Sequence, residues 1–305
     1  MVCSKRMRQN ASNRWFTDCP NLRDGLTHTF DADWPLSQVG GEHDAAKGHS
    51  CPNHLKTGPE PACGYLCFAH DSYGVAAVPK ALWSVSQRAE ASLWRRVGGG
   101  RMDTTANDRA EEHWKAFADF SCMSLGMQLG KVIEVGAGPW TQLKGILNIR
   151  SDLIVDHFTI WEPSADRYMK EVRSCSYRSG TSLVKADGSG MHTFPVSVIS
   201  SGGELMVSRE KFDTVISINV LEHVQDAFKY LTGLYKALRT GGFLIFHDRY
   251  YGNNEITQGD LYHPVRIKRN VLDHFLSGFE ILFNNCSAHY DGRKDKGYYV
   301  LARKL

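Results

Sequence analysis

The run KVIEVGAGPW, residues 131–140, places Gly136 and Gly138 at the turn after a short β-rich stretch. Glycine lacks a Cβ, so the backbone there can bend sharply and approach a bound molecule closely. The helix expected after the turn offers free N–H groups to an anion. Glu134 sits inside the strand end, where an acid repels a pyrophosphate and attracts a cationic amino group. A second acid, Glu162, ends the run FTIWEP, and a carboxylate at that place can accept hydrogen bonds from both hydroxyls of a ribose. Farther along, FDTVISINVLEHVQD ends a strand on Asn219 and carries Leu221, Glu222 and His223 into a turn or helix start. His247, Asp248, Tyr250 and Tyr251 lie at the carboxyl edge of the next strand, where a substrate would sit in an open α/β sheet.

These residues need a scaffold in which strands end side by side. Beyond Gly130, β-rich runs at 132–135, 158–161, 196–200, 212–218 and 243–247 alternate with helical segments. That alternation predicts a doubly wound α/β sheet with helices on both faces. The helical segments include LKGILNI, SADRYMKEVRSC and DAFKYLTGLYKALR. In the last, Phe228, Leu231, Leu234, Tyr235 and Leu238 form one apolar face, and Gly241 and Gly242 are expected to end the helix. A helix at 265–277 and strands at 279–283 and 298–303 follow. Upstream, ALWSVSQRAEASLWRR sets Leu82, Val85, Ala89, Leu93 and Trp94 at helical spacing before a glycine run at 98–100, and a second helix is expected over 108–123. Residues before about 73 are rich in Gly, Pro, Asn, Asp and His and keep no period for long. The chain therefore divides into a loop-rich N-terminal extension, 1–80, and a catalytic-type domain, 81–305.

Taken in order, VIEVGAGPW, TIWEPSAD, FDTVISINVLEHV and LYKALRTGGFLIFHD resemble the class I S-adenosylmethionine-dependent methyltransferases, and NVLEHV is similar to the type 11 group. The resemblance spans 131–248. It implies a Rossmann-like seven-stranded sheet closed by an antiparallel hairpin, and S-adenosyl-L-methionine as cofactor, whose amino group suits Glu134. It places Glu134, Gly136, Ala137 and Gly138 around the methionine part, Glu162 with Pro163 at the ribose, and Asn219 with Val220 beside the reacting methyl. Gly203 and Glu204 are the expected contacts on the adenine side, with Asp187 as the alternative acid. Trp140 stands where many members carry a third glycine, so either the helix approaches differently or the indole packs against the site. His247 and His223 are the candidate bases for an oxygen or nitrogen acceptor, ahead of His263.

Composition narrows the partners. A net charge of +3 over 305 residues, with the basic residues scattered, leaves no electrostatic footprint for nucleic acid, so a small-molecule methyl acceptor is expected. Charge and composition say nothing of oligomeric state. No run approaches the ~20 apolar residues of a membrane span, and the first residues lack the apolar stretch of a secretory signal, so a cytoplasmic protein is expected. Cys51, His54, Cys63, Cys67 and His70 have no paired-finger spacing and are read as thiols or disulfides, with no metal expected. His263, Arg266, Lys268 and Arg269 either bind an anionic acceptor or are simply solvated, the commoner use. Two rival classes remain: a dinucleotide-dependent oxidoreductase, and a binding protein that keeps the fold without catalysis.

Overall fold

The computed structural model describes residues 73–98, 111–178, 194–207, 209–252, 261–286 and 297–305. In chain order the named elements are β1 (Gly74–Val75), α1 (Lys80–Gly98), α2 (Glu111–Ala116), β2 (Gln128–Val135), α3 (Gln142–Ile149), β3 (Ile154–Trp161) and α4 (Ala165–Glu171). Then come β4 (Val196–Ile199), β5 (Phe212–Ile218), α5 (Ala227–Ala237), β6 (Leu238–Arg249), β7 (Arg266–Ile267), α6 (Arg269–Leu276), β8 (Phe279–Asn285) and β9 (Gly297–Lys304).

Seven strands form one sheet in the order β4-β3-β2-β5-β6-β9-β8. Strands β2 to β6 pair in parallel, and β9 runs antiparallel to both its neighbours. The doubly wound, seven-stranded, hairpin-closed architecture implied by the sequence is thus the observed one. Side chains of a strand alternate between faces, and each face is buried. Ile133, Val215, Leu244 and Phe246 enter the core under α5 and α6, while Val132, Ile216, Phe243 and Ile245 enter the one under α3. The strand order reverses between β2 and β5, which opens a crevice at the carboxyl ends of these strands.

Several boundaries differ from the sequence reading. The α5 helix ends at Ala237, before the glycines, because β6 already pairs with β5 at Leu238↔Phe212. The second helix stops at Ala116, since Ala118, Asp119 and Phe120 take positive φ angles and turn the chain under the buried Phe117 and Phe120 rings. The helix expected at 265–277 starts only at Arg269, because Arg266 and Ile267 pair antiparallel with β1. That pairing brings Val75, Ala76 and Val78 into the core. In α1 the apolar stripe is right at Trp94 and wrong at its start: Leu82 and Val85 are 38% and 42% exposed, and Trp83, Ser86, Gln87, Glu90 and Ala91 face the protein instead. The surface under that helix is a polar crevice, which selects aromatic and hydrogen-bonding side chains over aliphatic ones.

The Cys51–His70 cluster and Asp187 lie outside the described residues. Among the described residues no helix is long and apolar enough to cross a membrane.

Candidate active site

The turns after β2, β3, β4 and β5 and one face of α1 enclose an open cleft of about 720 Å³, solvent space included. The first turn is shaped by its glycines. Gly136 has φ +75°, and a Cβ on it would lie 2.4 Å from Val220 Cγ1. Gly138 has φ +58°, with open space where a Cβ would stand. The turn is held from behind by the loop after α4: Tyr177 Oη donates to the Gly138 carbonyl at 2.7 Å, and Ser176 Oγ accepts from Thr141 N at 2.9 Å. Trp140 belongs to the same clamp. Its Nε1 donates to the Ser174 carbonyl at 3.0 Å and its ring meets Trp94 edge-on at 5.5 Å, so the indole packs along the cleft and ties the turn to α1.

Glu134 is buried behind this turn and accepts from Gln142 N at 2.7 Å and Leu143 N at 3.1 Å. Its carboxylate thus occupies the first amides of α3, the place where a pyrophosphate would bind in a dinucleotide fold. Glu162 faces the cleft. One oxygen accepts from Gly138 N at 3.1 Å and the other from Ser164 N at 2.9 Å. Burial, reinforced by the nearby Glu90 charge, pushes its carboxyl up to about 7, although the two backbone donors pull the other way. A carboxylate has about four acceptor sites, so a diol can still be bound.

Ala137, Pro163, Gly203, Glu204, Asn219 and Val220 all line the same cleft. Gly203 lies on the Tyr230 ring, 2.5 Å from where a Cβ would stand, and the Gly202 carbonyl accepts from Trp161 Nε1 at 3.0 Å. Glu204 commits one oxygen to Gln225 N at 2.5 Å, ahead of α5. Asn219 closes β5 in a left-handed conformation, φ +60°, and its Oδ1 is buried with no hydrogen-bond partner.

The two candidate bases part company. His223 lines the cleft, with Nδ1 at 2.9 Å from the Tyr262 carbonyl. Its burial disfavours the imidazolium, but Glu90, Glu222 and Asp248 outweigh that and raise its pKa. His247 points to the α3 face of the sheet. It is fully buried with its ring 4.1 Å from that of Tyr299 and is not among the residues lining the cleft, because strand alternation sends it, like Ile245, into the core. Its neighbour Asp248 points the other way and accepts from Val220 N at 2.9 Å and Leu221 N at 2.8 Å, which holds the turn carrying Asn219 and His223. Tyr251 bonds Glu222, and Arg266 lies over the Tyr251 ring at 4.6 Å. Arg269 lies over Tyr298 at 5.4 Å, so both arginines are packed on aromatic faces.

Sequence reasoning missed the α1 face. Trp83, Gln87, Glu90 and Trp94 recur at helical spacing and all line the cleft. Trp83 Nε1 and Gln87 Nε2 both donate to the His223 carbonyl, at 3.1 and 3.0 Å, and Trp94 Nε1 donates to Glu90 at 3.3 Å. Two tryptophans eleven residues apart, with Gln and Glu on the same stripe, were the available signal.

Comparison with known proteins agrees with this geometry. A family model described as a methyltransferase domain matches residues 163–246. No curated protein matches. Among solved structures, the [4+2]-cyclase SpnF superposes with a TM-score of 0.50 at 14% identity, covering 76% of this chain and 98% of that one. The N-methyltransferase NodS from Bradyrhizobium japonicum WM9, in complex with S-adenosyl-L-homocysteine, has a TM-score of 0.48 at 13% identity, covering 70% and 98%. An S-adenosylmethionine-dependent methyltransferase from Mesorhizobium loti has 0.43 at 14%, covering 64% and 99%. At these identities the likeness is one of fold. The methyltransferase-domain match covers residues 163–246 of 305, and the structural likeness is to the seven-stranded fold.

Proposed function

We propose that this chain binds S-adenosyl-L-methionine in the cleft and transfers its methyl group to a small-molecule acceptor. The observation that carries the reading is the glycine cradle: Gly138 has open space where a Cβ would stand, its N–H donates to the Glu162 carboxylate, and Asn219, with its unpartnered Oδ1, lines the same cleft. These residues fit the group. Gly136, Ala137 and Gly138 would hold the amino acid part, Glu162 and Pro163 the ribose, Gly203 and Glu204 the adenine side, and Asn219 and Val220 the region of the methyl. When bound, the cofactor supplies a methyl carbon on a sulfonium, a leaving group good enough that no covalent enzyme intermediate is needed.

The chain's own residues then align and exclude water. Asp248 holds the turn of Asn219, Glu134 holds the start of α3, and α1 covers the cleft through Trp83, Gln87 and Trp94. His223 is the proton-handling group this cleft presents; burial lowers its pKa, but the Glu90, Glu222 and Asp248 carboxylates outweigh that and raise it. The capping of α3 by Glu134 argues against a dinucleotide. A second reading, a different reaction on the same fold, is favoured by the likeness to a [4+2]-cyclase.

Calorimetric titration with S-adenosylmethionine, S-adenosylhomocysteine and NADH tests the cofactor, with Glu162→Ala and Gly138→Val as controls. The two sulfur nucleosides should bind and NADH should not, and both controls should weaken binding at least tenfold. Binding of NADH alone, or none of the three, overturns the reading; binding without turnover across an acceptor screen favours the second.

A further inference from the structure

Beside the cleft, His223 meets two side chains, Glu222 and His263, to which the methyl-transfer reading gives no part. Glu222 is buried, and its Oε1 lies 3.3 Å from His263 Nε2 and 3.7 Å from His223 Nε2. The ligand-type atoms of Glu222, His223 and His263 all fall within 4.8 Å of one another, and among the described residues no other group of three does so. We propose that these three residues form a binding site for a single divalent metal ion, held by two imidazole nitrogens and one carboxylate oxygen.

Several features converge on that assignment. Metal–ligand bonds of ~2.0–2.1 Å set neighbouring ligands ~3.3 Å apart on a tetrahedral ion and ~2.9 Å apart on an octahedral one, so the two separations from Oε1 need only a slight contraction, while the imidazole nitrogens, within 4.8 Å of each other, would close further as the partly exposed His263 turns in. The tautomer of His223 is arranged for it. A carbonyl only accepts, so the 2.9 Å contact between Nδ1 and the Tyr262 carbonyl puts a proton on Nδ1, and Nε2, turned toward Glu222, is the nitrogen from which an incoming dication would displace a proton to solvent. The Glu90 carboxylate, 3.4 Å from the same Nδ1, strengthens this outer contact. The two oxygens of Glu222 are divided: Oε2 takes the Tyr251 hydroxyl and lies 3.6 Å from Arg249 Nη1, which leaves Oε1 to the two imidazoles. Glu90, Glu222 and Asp248 gather negative charge around His223, with the Arg249 guanidinium on the far oxygen of Glu222 and Arg266 beyond it on the Tyr251 ring, and a dication at Oε1 adds positive charge on the side of the imidazoles.

Two imidazoles with one carboxylate suit Mn²⁺, Fe²⁺ or Zn²⁺ rather than Ca²⁺. The ion would tie the segment bearing His263 to the turn after β5, at the mouth of the cleft that His223 lines. The same contacts without an ion would be an imidazolium–carboxylate cluster.

The test uses the full chain, stripped with a chelator and titrated with Mn²⁺, read by electron paramagnetic resonance. Mn²⁺ is a poor partner for thiolates, so the cysteines of the N-terminal segment compete little. The expected result is one Mn²⁺ per chain with magnetic coupling to two imidazole nitrogens. His263→Ala, a partly exposed side chain whose loss spares the core, should weaken binding at least tenfold and leave coupling to one nitrogen. Glu222→Gln should weaken it as much, and circular dichroism with urea unfolding reports whether each variant keeps its fold. Absence of a stoichiometric Mn²⁺ site in the wild type, or a site unchanged by His263→Ala, overturns the assignment and leaves the ion-pair cluster. Because the ion is read without cofactor or turnover, failure here is distinct from failure of the methyl-transfer reading.

Discussion

Gly136→Ala and Gly138→Ala are neighbouring changes of one methyl group, and the structure separates them sharply. Both glycines have positive φ, +75° and +58°, so an alanine at either costs about 1–2 kcal/mol in the left-handed region. At Gly138 nothing else is met within 4 Å. At Gly136 the new Cβ would lie 2.4 Å from Val220 Cγ1 and 2.7 Å from Cγ2, on a side chain only 7% exposed. Forcing a methyl into such packing adds roughly 1–3 kcal/mol. Gly136→Ala should therefore lose about 2–5 kcal/mol of unfolding free energy and Gly138→Ala about 1–2. Urea unfolding followed by circular dichroism measures both, and a Gly136→Ala, Val220→Ala double variant should recover the steric part as a positive coupling. Binding should rank the other way per unit of stability lost, since the Gly138 methyl enters the cleft itself. Equal losses at the two positions, with no coupling to Val220, would refute the account of the turn.

Glu162→Gln should weaken S-adenosylmethionine binding by about 10–100-fold, the effect of one charge-assisted hydrogen bond. Because burial holds the wild-type carboxyl at about 7 and hydroxyl donors favour the ionised form, cofactor binding should release protons near pH 6.5 and weaken below pH 7. Calorimetry in buffers of different ionisation enthalpy should show that release in the wild type and none in the variant. Arg150 donates to the carbonyls of Phe120, Met123 and Ser124 and pairs with Asp152 at 2.7 Å, so Arg150→Ala should cost about 2–3 kcal/mol in chemical denaturation. The Arg150 hydrogen bond holds the Asp152 carboxyl well below the usual range. Its stabilisation is therefore present above about pH 4 and lost only as pH falls toward the lowered value, and the variant should lack this acid-side slope. His247→Ala should lower the melting temperature and leave the pH–rate profile in place, whereas His223→Ala should change the profile; a profile altered by His247→Ala alone would contradict its burial against Tyr299.

The sequence alone determined the scaffold and singled out many of the residues that line the cleft. Apolar runs such as FDTVISI and FLIFH have the period and length of buried parallel strands, and that pattern is local, so all seven sheet strands were legible, though β2, β3 and β6 begin four or five residues before their apolar runs. Gly136, Gly138, Glu162 and Asn219 were legible because a tight turn or a strand end restricts residue type over a few positions. What required the tertiary structure was direction and distance. Whether His247 or Asp248 faces the cleft depends on which face of β6 meets which helix, and a difference of one residue sends one to Tyr299 and the other to the Asn219 turn. The stripe of α1 was misread because apolar spacing predicts burial against an apolar surface, and here the helix docks on a polar cleft through Trp83, Gln87 and Glu90. The meeting of Glu222 and His223 with His263, forty positions on, was equally invisible, since the chain between them leaves and returns through β6. Such convergence is a property of packing between distant segments, and no local pattern encodes it.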